Sequence, residues 1–188
     1  LKKTEKYQRD KEFWLNKIPT LPSAGILPVQ NEITKLEEVE GIQVECGIPI
    51  EQWRQIEKMS QKFGVSAFSV LLTSFAVSVA RWNDKRRFLL NIPEFYRPAF
   101  SEDIFKVLGE CASFLLFTME DDPEDTFLEK VVKTQQQIME LLKSLKQENQ
   151  LSFLFICHNL ALVQSFCDRV LVMHEGKIVE EGTPEQII

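Results

Sequence analysis

Two polar groups set among apolar residues are the clearest candidates for chemistry in this chain. Asn91 stands in the run Arg87-Phe88-Leu89-Leu90-Asn91-Ile92-Pro93, where an enclosed amide would need partners for its donors and its acceptor. Arg97 follows Phe95 and Tyr96 in a segment bracketed by Pro93 and Pro98, and a guanidinium so placed can hold a carboxylate or a phosphate. Groups able to move protons are sparse around them. Glu110 is the carboxylate before the next apolar run, and a solvated or structural role is its simpler reading. The histidines, His158 and His174, lie far along the chain. General acid–base catalysis needs a titratable group within hydrogen-bond reach of the proton it moves.

Metal and phosphate chemistry have little footing in the pattern. Cys46, Cys111, Cys157 and Cys167 are widely spaced, form no CxxC and have only two histidines to join them, so no metal site is expected. Set in apolar runs, they are expected to be buried free thiols of a cytoplasmic protein. Cys157 and His158 are adjacent and would point to opposite faces of a strand, which rules them out as a nucleophile–base pair. The glycines, at 25, 41, 47, 64, 109, 176 and 182, do not supply the GxxxxGKS/T spacing that cradles phosphates.

The elements that must carry these residues follow from periodicity. The 188 residues, 44% hydrophobic and 27% charged, have the make-up of an ordinary globular chain able to bury a core. A net charge of −6 argues against nucleic acid or an anionic membrane as partner. The apolar stretch from Val65 to Val79 is too short and too rich in Ser and Thr to span a bilayer. Leu1 at the start, with no signal-like apolar segment after it, is read as the beginning of a partial chain.

Residues 3–17 predict a polar helix burying Tyr7, Phe13 and Trp14, and Pro19, Pro22 and Pro28 an extended segment. The alternation of Ile42, Val44, Cys46 and Ile48 predicts a strand. Ile50 to Lys62 predicts a helix stopped by Gly64, and Ser66 caps a helix to about Trp82, apolar on nearly every side and so central. Strands are predicted over Arg87–Ile92 and Cys111–Met119, with Trp14 and Trp82 as core aromatics. An acidic turn, Asp121 to Asp125, opens a helix running to about Gln147. Then come a strand over Ser152–Cys157, a helix over Asn159–Phe166, a hairpin of Arg169–His174 and Lys177–Glu180 across Glu175-Gly176, and a helix opened by Pro184.

Four ordered motifs carry a resemblance over residues 1–137. Phe13-Trp14-Leu15 with Leu21-Pro22-Ser23-Ala24 and Leu27-Pro28 resembles the tryptophan-leucine-proline signature of nonribosomal peptide synthetase condensation domains. Gly64-Val65-Ser66 through Ala80-Arg81-Trp82 is similar to a buried helix of the heterocyclization subfamily. Arg87 to Pro93, with Phe95 and Arg97, resembles its RFxLNLxLFxR motif, and Gly109-Glu110-Cys111-Ala112-Ser113 stands in the place of its GDFTS. The resemblance implies an α/β fold, the C-terminal lobe of a CoA-dependent acyltransferase-like domain. It implies Asn91, Arg97 and Ser113 as substrate-channel candidates and phosphopantetheine on a partner carrier protein as the group that brings substrate. It also shows departures. The family's Thr falls on Ala112 and its Asp on or near Leu141, so no catalytic residue is assigned, and the first-lobe acid motif is not present.

Residues 138–188 resemble a second family. The run LSFLFICHNLALVQSFCDRVLVMHEGKIVEEG, Leu151 to Gly182, is similar to the last part of ABC ATPases of oligopeptide, dipeptide or nickel importers, and Gln135 to Glu148 also fits the helix before it. The resemblance implies His158 as the nucleotide-switch histidine, which contacts a γ-phosphate. Without the phosphate loop or the LSGGQ signature, ATP binding by this chain is not expected.

The expectation is therefore an incomplete condensation or heterocyclization domain joined to a transporter ATPase tail, inactive by itself and cytoplasmic. Its expected partners are a peptidyl or acyl carrier protein, an adenylation domain and a separately supplied N-terminal lobe. The alternatives are an interaction or regulatory piece of an ABC peptide-uptake system, docking on a transporter subunit, or a recombination product without selected function.

Overall fold

The computed structural model describes residues 4–29, 41–95, 103, 106, 108, 109, 112–149, 154–156 and 160–187. The chain forms two compact units, Leu1–Pro28 with Ala76–Asp122 and Val29–Phe75 with Pro123–Ile188.

In the first unit, α1 (Glu5–Lys17) starts at Thr4, whose hydroxyl accepts from the Tyr7 backbone N–H at 3.3 Å. Lys17 in its last turn lies 5.1 Å from the Phe13 ring centre and 5.7 Å from that of Trp14. The helix is where the sequence places it, but Tyr7, Phe13 and Trp14 are exposed rather than buried. The element that α1 meets most is the 3-10 turn directly after it, Ile18–Thr20, which offers too small a surface to cover an aromatic face. Residues 21–28 then run extended along the first strand. Ala24 pairs with Leu89 as a parallel bridge, and the Leu89 N–H donates to the Ser23 carbonyl at 3.1 Å.

β1 (Arg87–Phe95) and β2 (Ala112–Glu120) pair antiparallel in unbroken register from Arg87–Glu120 to Phe95–Ala112. Pro93, expected to open a loop, lies inside β1, and among the described residues the sheet has two strands, so a proline costs it little. Paired residues share a face. Phe88–Met119 and Leu90–Phe117 line the inner one, where Phe88 is 0% exposed. Trp82, expected in the core, is 70% exposed beyond the end of α3.

The second unit holds α2 (Ile50–Lys62), α3 (Ala67–Ala80) as far as Phe75, and α4 (Phe127–Asn149). Val65 N–H donates to the Ser60 carbonyl at 3.0 Å past a left-handed Gly64, closing α2 as expected. Ser66 caps α3 through the Ser69 N–H at 3.0 Å. The buried stripe of α3 is not its aromatic one. Ser69, Thr73 and Ala76 are enclosed, while Phe68, Leu71 and Phe75 face outward. The reason is a polar seam between α3 and α4. Gln135 Oε1 accepts from the Ser66 N–H at 3.0 Å and from the Ser69 hydroxyl at 2.8 Å. Thr73 donates to the Ser69 carbonyl at 2.7 Å and lies 2.9 Å from the Thr134 hydroxyl. Satisfying these buried groups holds the small polar side inward.

α4 opens with a capping box. Glu129 N–H donates to the Thr126 hydroxyl at 3.3 Å, and Glu129 Oε2 accepts from the Thr126 hydroxyl and N–H, each at 2.7 Å. The hydroxyl bond first, then the backbone bond, hold the Glu129 carboxyl below its ordinary 4.5. The expected boundary between residues 137 and 138 falls inside this continuous helix.

Further along, α5 (Leu160–Phe166) is followed by the hairpin of β3 (Val170–His174) and β4 (Lys177–Gly182) and by α6 (Pro184–Ile187). Glu175 and Gly176 both have positive φ, as a type I′ turn requires, and Arg169 pairs with Glu181. One predicted strand is absent from the described residues, and of the other, Ser152–Cys157, only residues 154–156 are described. Residues 41–49 form neither helix nor strand, with Ile42 85% and Val44 86% exposed, and Leu154 to Ile156 likewise form no strand. The first stretch alternates as strands do and the second is an apolar run, but no described strand lies beside them to complete a ladder. Cys46, expected to be buried, is exposed for the same reason, and Cys167 is half-buried. Cys111 and Cys157 lie outside the described residues.

Candidate functional site

The outer face of β1–β2 is the surface that the sequence motifs build. Its paired positions are Leu89–Thr118, Asn91–Leu116, Pro93–Phe114 and Phe95–Ala112, closed at one end by Arg87–Glu120. Three local features hold β1 in place. The Asn83 side chain accepts from the Ile26 N–H at 2.8 Å and donates to the Lys85 carbonyl at 2.9 Å. Lys85 reaches the Ser23 hydroxyl at 2.9 Å. Gly25 fits so closely that a Cβ there would lie 3.1 Å from Asn83 Nδ2 and 3.3 Å from the Phe88 ring. The segment after the Phe13-Trp14-Leu15 motif is thus a brace for the strand that carries Asn91.

Asn91 is exposed on this face, so its amide is presented outward instead of being enclosed as expected. Ala112 shares the face, four residues along β2 from Asn91's partner Leu116, about 13 Å at strand rise. Ser113 is on the opposite face, paired with Glu94. Leu141 is half-buried on α4, in the other compact unit. Arg97, Glu110 and His158 lie outside the described residues. Of the three substrate-channel candidates, then, Asn91 stands with Ala112, Ser113 is turned away, and Arg97 is not placed.

Chemically, the described part of the face offers an amide at Asn91 and apolar contact at Phe114 and Leu116. Its titratable groups are Arg87 and Glu120, bound to each other at 2.7 Å. Such a surface can hold a polar chain by hydrogen bonds, but Ala112 supplies no hydroxyl where the motif would place one. Among the described residues no group of His, Cys, Asp and Glu is arranged to hold a metal ion. The lowered carboxyls, Glu129 and Glu185, cap helix starts: the first is held mainly by the Thr126 hydroxyl, the second mainly by its own backbone N–H. Sequence reasoning missed the α3–α4 seam, although the spacing of Ser66, Ser69 and Thr73 in an apolar helix marks a polar stripe.

Comparison with known proteins places the sheet within a condensation domain. The condensation domain family matches residues 1–155, and the chain belongs to that family. It is 24% identical over 143 residues to bacitracin synthase 1 of Bacillus licheniformis, covering 76% of this chain and 3% of that protein. It is 27% identical over 136 residues to pyochelin synthetase PchE of Pseudomonas aeruginosa, covering 72% of this chain and 10% of that protein. The chain therefore spans a small part of these relatives. The EpoB cyclization-docking bidomain of the Sorangium cellulosum nonribosomal peptide synthetase shares the fold, with a TM-score of 0.63 at 22% identity over 79% of this chain and 32% of that one.

A separate likeness is to the peptidoglycan transport ATP-binding protein YejF of Agrobacterium fabrum, 55% identical over 56 residues, which is 30% of this chain and 10% of that protein. Condensation-domain sequence and a segment similar to an ABC transporter ATP-binding protein are thus joined in one polypeptide. A match of 56 residues does not fit wholly beyond residue 155, so the two likenesses overlap. No single helix among the described residues is long and apolar enough to cross a membrane.

Proposed function

We propose that this chain is a substrate-presenting lobe of a heterocyclization-type condensation domain, unable to turn over substrate by itself. The observation that carries this is the outer face of β1–β2, which sets the Asn91 amide beside apolar Phe114 and Leu116 and has Ala112 at the motif position of the family's Thr. The likeness to the EpoB cyclization-docking bidomain supports the heterocyclization reading. The substrate class is an acyl or peptidyl group carried as a thioester on the phosphopantetheine arm of a carrier protein, with an adenylation domain loading that carrier. Asn91 hydrogen-bonds the amide-rich arm, Phe114 and Leu116 contact its apolar parts, and Arg97 takes its phosphate. A complementing N-terminal lobe supplies the acid–base residues. The chain binds no ATP and works in the cytoplasm, in secondary metabolism.

Titration of the isotope-labelled chain with phosphopantetheinylated carrier protein tests this. Backbone resonances of Leu89, Asn91, Phe114 and Leu116 are expected to shift, and much less so with carrier lacking the arm. Shifts that avoid this face, or that do not depend on the arm, overturn the assignment.

A second reading, a docking piece of an ABC peptide-uptake system, is favoured by the likeness to the peptidoglycan transport ATP-binding protein. Stable association with an ABC ATPase or permease, and none with a carrier, would select it.

A further inference from the structure

We infer that the transporter-like tail acts within this chain as an apolar cap on the second half of α4, and that α5 spends its apolar face on that contact. Met139 is buried with Leu162 and Phe166, and Leu142, Phe155 and Cys167 pack against the three. Met139 and Leu142 are three residues apart and so lie on one side of α4; Leu162 and Phe166 are four apart and so lie on one side of α5. The Phe155 and Phe166 ring centres are 5.5 Å apart at 51°. Leu154 and Ile156, either side of Phe155, are 87% and 88% exposed, so a single side chain of that stretch is turned into the cluster.

Two physical arguments make the contact a dependency. A helix of seven residues does not persist alone in water, so α5 owes its structure to what it packs on. The first half of α4 is held by the hydrogen-bonded seam through Thr134 and Gln135, which stops short of Met139. Beyond that point burial of apolar surface holds the helix, and Leu162, Phe166, Phe155 and Cys167 supply it at Met139 and Leu142. The run after α4 would thus stabilise the end of that helix whether or not either family's chemistry survives, and the inference does not rest on the carrier-binding proposal. It also has a consequence for the transporter reading, because a partner would have to use a face of α5 other than that of Leu162 and Phe166.

Amide hydrogen exchange on the full chain tests it, comparing residues 139–144 with residues 131–135 as an internal reference. Leu162→Ala and Phe166→Ala are expected to speed exchange in 139–144 at least about tenfold relative to 131–135. Leu160→Ala, at an exposed position of the same helix, should leave the ratio unchanged. In the reverse direction, Met139→Ala should speed exchange in 160–166. Should an alanine variant unfold as a whole, Leu162→Val and Met139→Val give a smaller change of the same sign. An unchanged ratio in the cluster variants, or an equal change with Leu160→Ala, overturns the inference.

Discussion

The two hairpins of this molecule differ in what their strands are for. β1–β2 has nine-residue strands in continuous register, buries Phe88, Phe117 and Met119 on one face and exposes Asn91, Pro93, Ala112 and Phe114 on the other. β3–β4 is shorter, has a register shift between Val172 and Met173, and exposes most of both strands. The first hairpin has a built inside and a presented outside. The second depends on local turn chemistry, the Arg169–Glu181 pair and a short capping helix. A motif kept in sequence therefore has different physical backing in the two places. Arg87 to Pro93 is held by burial and by the brace from residues 23–26, whereas the transporter-like hairpin folds locally.

That contrast can be broken by mutation. Phe88→Ala should cost about 3–5 kcal/mol in denaturant unfolding, whereas Met173→Ala, at an exposed position of β3, should stay within about 0.5 kcal/mol. Equal costs would erase the distinction. Gly25→Val should cost about 1–3 kcal/mol, because its Cβ would press on Asn83 and Phe88. Gly176→Val should cost about 1–2 kcal/mol from its positive φ, with faster amide exchange confined to β3–β4. Loss of protection in β1–β2 from that change would mean the hairpins fold as one. Asn91→Ala should change stability by less than about 0.5 kcal/mol, since the side chain is exposed, while weakening carrier binding.

The smallest effect concerns pH. The Glu129 carboxyl titrates below its ordinary 4.5, so its stabilisation of α4 is present above that value and is lost as pH falls through the lower folded-state value. Glu129→Gln should therefore fray the first turn of α4 at neutral pH, and the difference from the parent chain should vanish in acid, as read by exchange at Leu128 to Lys130.

Much of this architecture is legible in the residues. The bounds of α2, the Gly64 stop, the Ser66 cap, the Thr126 start and the Glu175-Gly176 turn are local chemistry, and local chemistry is what a sequence states directly. Burial was less legible, because it depends on partners. Ile42 to Ile48 has a strand's period but no described neighbour, and the aromatics of α1 have a helical face without a surface to meet. In α3, hydrophobicity suggested a helix buried all round, and the hydrogen-bonding demands of Ser69, Thr73 and Gln135 decided which side went in. At the candidate site, the apolar run was enough to put Asn91 on a strand, but pairing with β2 was needed to learn that its face is the outer one, that Ala112 joins it and that Ser113 does not.

The central claim is that this chain presents carrier-borne substrate without moving its protons. A single-turnover assay with acyl-loaded and cysteine-loaded carrier proteins tests it most directly, following carrier-bound product by intact mass. The account predicts product at the level of the protein-free control. Product above that level, abolished by Asn91→Ala, would contradict it.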